Sequence, residues 1–286
     1  MFSGSMVALV TPFHDNFVDY EALEKIIEWQ IQSGTDAILV CGSTGEGLLL
    51  SENEREKIIG CSLDVAKKRV PVIVGCSSCW TDDALKLTKQ AEKLGADGVL
   101  LIAPFYVKPT QAGIIKHFTT VHENSNIPII MYNNPGRCAV DMSVETISEI
   151  AKLSRVVALK DSNTNLARVC FLKERSPELK LLSGDDPSLA GFLAHGGDGC
   201  ISVTANVAPA LVKSLISSWQ SANIQTFQRL AIKLAPLSEA LFLEPNPIPV
   251  KYALFKKGLL ANELRSPLTV ASQKTMNRLD ELLNQF

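Results

Sequence analysis

A (β/α)8 TIM barrel followed by a three-helix C-terminal extension is the fold this sequence predicts. Eight short runs rich in β-branched residues alternate with segments of 3.6-residue apolar periodicity. The chain has 286 residues, 46% of them hydrophobic, which is enough for one barrel-sized core. Its first run ends in Thr11-Pro12-Phe13 instead of the glycine-rich turn that opens many doubly wound dinucleotide folds.

The predicted strands are Val7 to Thr11, Ala37 to Cys41, Val70 to Gly75, Gly98 to Ala103, Ile127 to Tyr132, Val156 to Lys160, Leu179 to Ser183 and Gly199 to Val203. Helical periodicity fills the gaps, as over Glu21 to Gln32, Glu52 to Ala66, Asp82 to Leu94, Gln111 to Glu123 and Val144 to Leu153. Ser51, Thr81 and Ser143 stand where an N-cap hydroxyl is wanted, and Gly34 and Gly95 where a helix must stop. After about Asn223 the strand signal ends. Ile224 to Phe242, Pro249 to Leu260 and Pro267 to Gln285 then read as three helices, so residues 1–222 are assigned to the barrel and 223–286 to a helical domain. In Leu243-Glu244-Pro245-Asn246-Pro247-Ile248-Pro249, three prolines within five residues fix much of the backbone and make a stiff connector.

A formal net charge of −2 with no long Lys/Arg block gives no footprint for nucleic acid. The clusters Lys67-Lys68-Arg69 and Lys256-Lys257 read as solvated helix ends, and a small molecule or a protein is the expected partner. No run reaches the length of a membrane span, and Met1 to Met6 lacks a basic segment leading into an apolar core; the cytoplasm is the expected compartment. Seven cysteines form no disulfide framework, and reduced thiols are expected. Cys76-Ser77-Ser78-Cys79 has CxxC spacing without a second pair, and the four histidines lack HxH or HExxH spacing, so no metal site is expected.

In a barrel of this kind the chemistry gathers at the C-terminal ends of the strands. The sixth predicted strand ends on Lys160, inside an apolar run. Burial of an amine there lowers its pKa from about 10.4 and makes it a nucleophile toward carbonyls. The other strand ends bring Gly42-Ser43-Thr44-Gly45-Glu46-Gly47, Phe105-Tyr106, Tyr132-Asn133-Asn134-Pro135-Gly136-Arg137, Ser183-Gly184-Asp185-Asp186 and Ile201-Ser202-Val203-Thr204-Ala205-Asn206 to the same mouth. Singly these read as turn formers, rim aromatics and caps. Together they supply what a Schiff-base lysine needs, hydroxyls to pass protons and an arginine to grip a carboxylate.

These motifs, with Leu159-Lys160-Asp161 and Glu244-Pro245-Asn246-Pro247-Ile248-Pro249-Val250-Lys251, resemble the pyruvate-dependent class I aldolase superfamily over essentially the whole chain. Within it they look most like the 4-hydroxy-tetrahydrodipicolinate (dihydrodipicolinate) synthase family. The resemblance implies that Lys160 forms an imine with pyruvate, that Thr44 binds the pyruvate carboxylate, and that Gly184 and the Ile201 backbone line the pocket. It implies Tyr132 as proton donor and acceptor, and Ser43, in place of the family's usual threonine, as the link from Tyr132 to Tyr106. Tyr106 would reach across a dimer interface in a homotetramer of two tight dimers. Arg137 would hold the carboxylate of L-aspartate 4-semialdehyde. No cofactor or metal is required, since the protonated imine is itself the electron sink.

Two other readings share these residues. One is a related aldolase acting on another aldehyde, such as N-acetylneuraminate lyase or a 2-keto-3-deoxy sugar acid aldolase, which would not need Arg137. The other is an oxo-acid sensor, against which the retained lysine, tyrosines and hydroxyls speak. The resemblance further implies weak or absent inhibition by lysine. At the positions where sensitive synthases hold that amino acid, this chain has Gly47, Leu48, Glu52, Arg55, Cys79, Asp83 and Phe105.

Overall fold

The computed structural model describes residues 2–286. Eight parallel strands close a barrel in chain order: β1 (Gly4–Ala8), β2 (Ala37–Val40), β3 (Val72–Gly75), β4 (Gly98–Ile102), β5 (Ile129–Asn133), β6 (Val156–Asp161), β7 (Lys180–Ser183) and β8 (Gly199–Ser202), with β8 hydrogen-bonded back to β1. Every residue of β2, β3 and β4 is buried, as expected of strands covered by side chains inside and helices outside.

Where the strands begin and end differs by a few residues from the predicted ranges, most at β1. That strand starts three residues ahead of Val7, because Gly4 donates to the Asp198 carbonyl (2.9 Å) and Ser5 to Asp36 Oδ2 (2.7 Å). It also stops before Thr11. The Val10 N–H leaves the ladder for Asn206 Oδ1 (3.2 Å), Thr11 Oγ1 donates to the Gly45 carbonyl (2.7 Å), and Pro12 has no N–H to offer. A continuous apolar run carries no period that could mark these ends.

Ser51 and Ser143 cap as predicted, Ser51 in a reciprocal box with Glu54. Thr81 does not. It is the first residue of the helix Thr81–Leu94, and its hydroxyl is bonded to His117 Nδ1 (3.0 Å).

The tail helices are Ile224–Ala240, Ile248–Lys256 and Gln273–Leu283. The last begins later than Pro267 because Ser272 supplies the cap, accepting from the Thr275 N–H. Several bonds tie the tail to the loop after β2. Arg265 pairs with Glu54 and donates to the Leu49 carbonyl (2.9 Å), and Asn246 Nδ2 donates to Thr44 Oγ1 (2.9 Å).

Candidate active site

The register of β5 against β6 sets Tyr132 opposite Lys160 and Asn133 opposite Asp161. Asp161 accepts from Asn133 Nδ2 (2.9 Å) and faces Arg168 (3.4 Å), a residue of the helix Ala167–Arg175 outside the barrel. Since side chains alternate along a strand, Lys160 must point inward. It is 5% exposed, and its Nζ lies 4.5 Å from the centroid of the Tyr132 ring. Gly184, at the end of β7, gives the lysine its room. A Cβ there would stand 3.0 Å from Lys160 Cε and 2.3 Å from Ser162 Oγ.

Tyr132 is itself buried, and its hydroxyl accepts from Asn134 Nδ2 (2.7 Å). Burial raises the phenol pKa, but the Lys160 charge, the hydrogen bonds with Asn134 and Ser162, and the Arg137 charge outweigh it and leave the group below its ordinary value of 10.0. Part of that depression vanishes whenever Lys160 is neutral. The phenol therefore holds its proton more tightly beside the free amine than beside a cationic nitrogen.

Thr44 is buried in the turn after β2, with its hydroxyl against Asn246. Arg137 is exposed, and its Nη2 donates to the Asn246 carbonyl (2.9 Å). A cavity of about 530 Å³ opens at this end of the barrel, walled in part by Ser43, Phe105, Tyr132, Arg137 and Asn246. Thr44, Lys160, Gly184 and Ile201 are not on that wall; Lys160 meets it through the Tyr132 ring, and Gly184 lies against Lys160. Ser43 shares the cavity wall with Tyr132, but the tyrosine hydroxyl is taken by Asn134, a partner that sequence reasoning left without a role. Tyr106 is 89% exposed with a positive φ of 69°, so a single chain does not place it in the cavity wall with Ser43 and Tyr132.

Sequence reasoning also missed Asn246, which touches both Thr44 and Arg137. The proline-rich connector was the available signal, since stiffness at that point holds one residue against two others.

The wall of the same cavity also carries Gly47, Leu48, Glu52, Arg55 and Asp83. Arg55 is buried and already donates to the Gly75 carbonyl (2.8 Å), while Glu52 is paired with Lys86 (2.9 Å). All seven cysteines are free; burial pushes the Cys41 thiol up to about 11 and Cys76 to about 12, which suits packing rather than reactivity. Among the described residues one His/Asp/Glu trio is close enough to share an ion, His14, Asp15 and Glu263, and it is a surface group. No helix among the described residues is long and apolar enough to cross a membrane.

The model of the dihydrodipicolinate synthetase family matches residues 1–286. A 4-hydroxy-tetrahydrodipicolinate synthase of Parvibaculum lavamentivorans is 49% identical over 277 residues, covering 95% of this chain and 94% of its own. Among solved structures, the dihydrodipicolinate synthase of Aquifex aeolicus superposes with a TM-score of 0.97 at 42% identity, over 99% of this chain and 98% of that one. The chloride-inhibited dihydrodipicolinate synthase of Acinetobacter baumannii, solved in complex with pyruvate, superposes equally well at 0.97 with 39% identity, over 99% and 98% of the two chains.

Proposed function

We propose a set of residue roles from the premise that the chain belongs to the dihydrodipicolinate synthetase family. The protein condenses pyruvate with L-aspartate 4-semialdehyde to give 4-hydroxy-tetrahydrodipicolinate, a lyase step of lysine and diaminopimelate synthesis. The observation that carries the assignment of roles is the buried Lys160 amine held over the ring of Tyr132, a residue of the cavity wall.

Neutral Lys160 adds to the pyruvate carbonyl, and water departs as Tyr132 returns a proton to the leaving hydroxyl. Loss of a methyl proton converts the imine to an enamine, whose carbon attacks the aldehyde of the second substrate. The amine of that substrate then displaces Lys160 and closes the ring. Thr44 holds the pyruvate carboxylate, Gly184 and the Ile201 backbone bound the space around it, and Arg137 takes the carboxylate of the semialdehyde. Ser43 passes protons between Tyr132 and Tyr106. Because Tyr106 is exposed in one chain, the relay is completed by a neighbouring copy in a homotetramer of two tight dimers, which the mass in solution tests directly. The barrel, residues 1–222, carries these groups, and residues 223–286 brace its mouth.

A coupled assay with pyruvate and aspartate semialdehyde tests the reaction, and Arg137→Ala tests its specificity. The Michaelis constant for the semialdehyde is expected to rise at least tenfold while that for pyruvate changes less than threefold. An aldolase of another aldehyde predicts no turnover in that assay, and equal effects on both constants would make Arg137 a structural residue that only braces Asn246.

Lysine is expected to inhibit weakly or not at all. Arg55 and Glu52 already have partners, and Phe105 offers no hydroxyl, so a bound amino acid would have to recover several hydrogen bonds of about 1 kcal/mol each. Half-inhibition below about 1 mM, which corresponds to roughly 4 kcal/mol of binding, would contradict this.

A further inference from the structure

The side chains of Glu46 and Lys251 form an ion pair at 2.5 Å in which neither has any exposed surface. Glu46 sits two residues after Thr44 in the turn that follows β2, in a left-handed backbone conformation (φ 52°), and its second oxygen accepts the Arg265 N–H (2.9 Å). Lys251 lies in the tail helix Ile248–Lys256, five residues after Asn246. Its ammonium also donates to the Glu263 carbonyl (2.8 Å) and stands 4.0 Å from the centroid of the Phe13 ring. The same two segments meet a second time, where Asn246 Nδ2 donates to Thr44 Oγ1. Two short ties in parallel thus fix the connector against the turn, one through charge and one through the substrate-binding hydroxyl.

Such a pair is a poor source of stability, because desolvating both ions offsets most of their attraction. Burial pushes the Lys251 ammonium down to about 8 in spite of the opposing pull of Glu46. What the pair does supply is registration: an ammonium held between a carboxylate oxygen, a carbonyl and a ring face has few positions open to it. A hydrophobic contact at the same place would be satisfied by many.

We propose that Glu46 and Lys251 are positioning residues for substrate binding, holding the Thr44 turn and the Asn246 connector at the separation at which Thr44 receives the pyruvate carboxylate. The inference rests on the assignment of that carboxylate to Thr44. It gives the helical tail a part in binding, although the tail contributes neither the nucleophile nor the proton relay. Thr44 grips the carboxylate equally before and during the chemistry, so loosening it raises the Michaelis constant for pyruvate and leaves kcat nearly unchanged.

The test compares the full-length enzyme with Glu46→Gln/Lys251→Met, in which both charges are removed together so that neither is left buried alone. The double variant is expected to keep its circular dichroism and to form the borohydride-trapped pyruvate adduct at saturating pyruvate. Its Michaelis constant for pyruvate should rise about tenfold with kcat within threefold of the parent. The reciprocal pair Glu46→Asp/Lys251→Arg, which shortens the acid by one methylene and lengthens the reach of the base through the guanidinium, should recover most of the loss. A folded double variant with a pyruvate constant within twofold of the parent overturns the proposal. Should the double variant not fold, Glu46→Asp alone decides: a constant raised at least threefold with kcat retained supports positioning, and an unchanged one overturns it. Absence of any adduct in the parent enzyme would instead overturn the assignment of the reaction, so the two failures are distinguishable.

Discussion

Lys160→Ala is expected to reduce turnover of pyruvate and aspartate semialdehyde by at least about 10⁴-fold, to the background of the coupled assay, because the variant lacks the amine proposed to carry the covalent intermediate, and Lys86 on the cavity wall is paired with Glu52. Lys251 is the other lysine with a buried side chain here, and it is held in an ion pair outside the β5–β6 site. The variant should fold. It removes an amine whose desolvation opposes folding, and it leaves a space lined by Tyr132, Gly184 and Ser162 that water can enter. Turnover above about a hundredth of the parent would mean that the enamine forms without Lys160.

Tyr132→Phe is expected to keep the fold and to form the pyruvate adduct slowly, while steady-state turnover falls by roughly a hundredfold or more, the usual contribution of a positioned acid–base group. The ring is retained, so the packing against Lys160 survives and the loss isolates the hydroxyl. Asn134 Nδ2 then loses its acceptor, which adds a small structural cost of about 1 kcal/mol. Single-turnover kinetics separate the two contributions: slow imine formation and slow transimination point to the proton, whereas a loss confined to substrate affinity would contradict the relay.

The barrel was legible because its signal is redundant. Eight apolar runs, each followed by a periodic segment, survive errors of two or three residues at every boundary, and the misplacement of β1 had no consequence for the topology. The inward position of Lys160 was legible for the same reason, being the last residue of an apolar run followed by an acid that takes the outward face. Side-chain partners were not. Thr81 has the residue type of an N-cap, yet His117, distant in sequence, takes its hydroxyl. Ser43 has the hydroxyl for a relay, yet the nearer amide of Asn134 occupies Tyr132 in the single chain. Glu46 and Lys251 carried no periodic signature, and only the closed fold brings a turn residue and a tail helix together. Tyr106 follows the fourth strand in sequence, yet the fold leaves it 89% exposed and outside the cavity wall.

Borohydride trapping followed by peptide mass mapping identifies the nucleophile. The native enzyme is incubated with pyruvate and borohydride, digested, and the modified residue located by fragmentation. One pyruvate-derived adduct on the Lys160 peptide, absent without pyruvate and absent in Lys160→Ala, is expected; an adduct on another lysine, or full turnover with no adduct at all, would rule out Lys160 as the nucleophile.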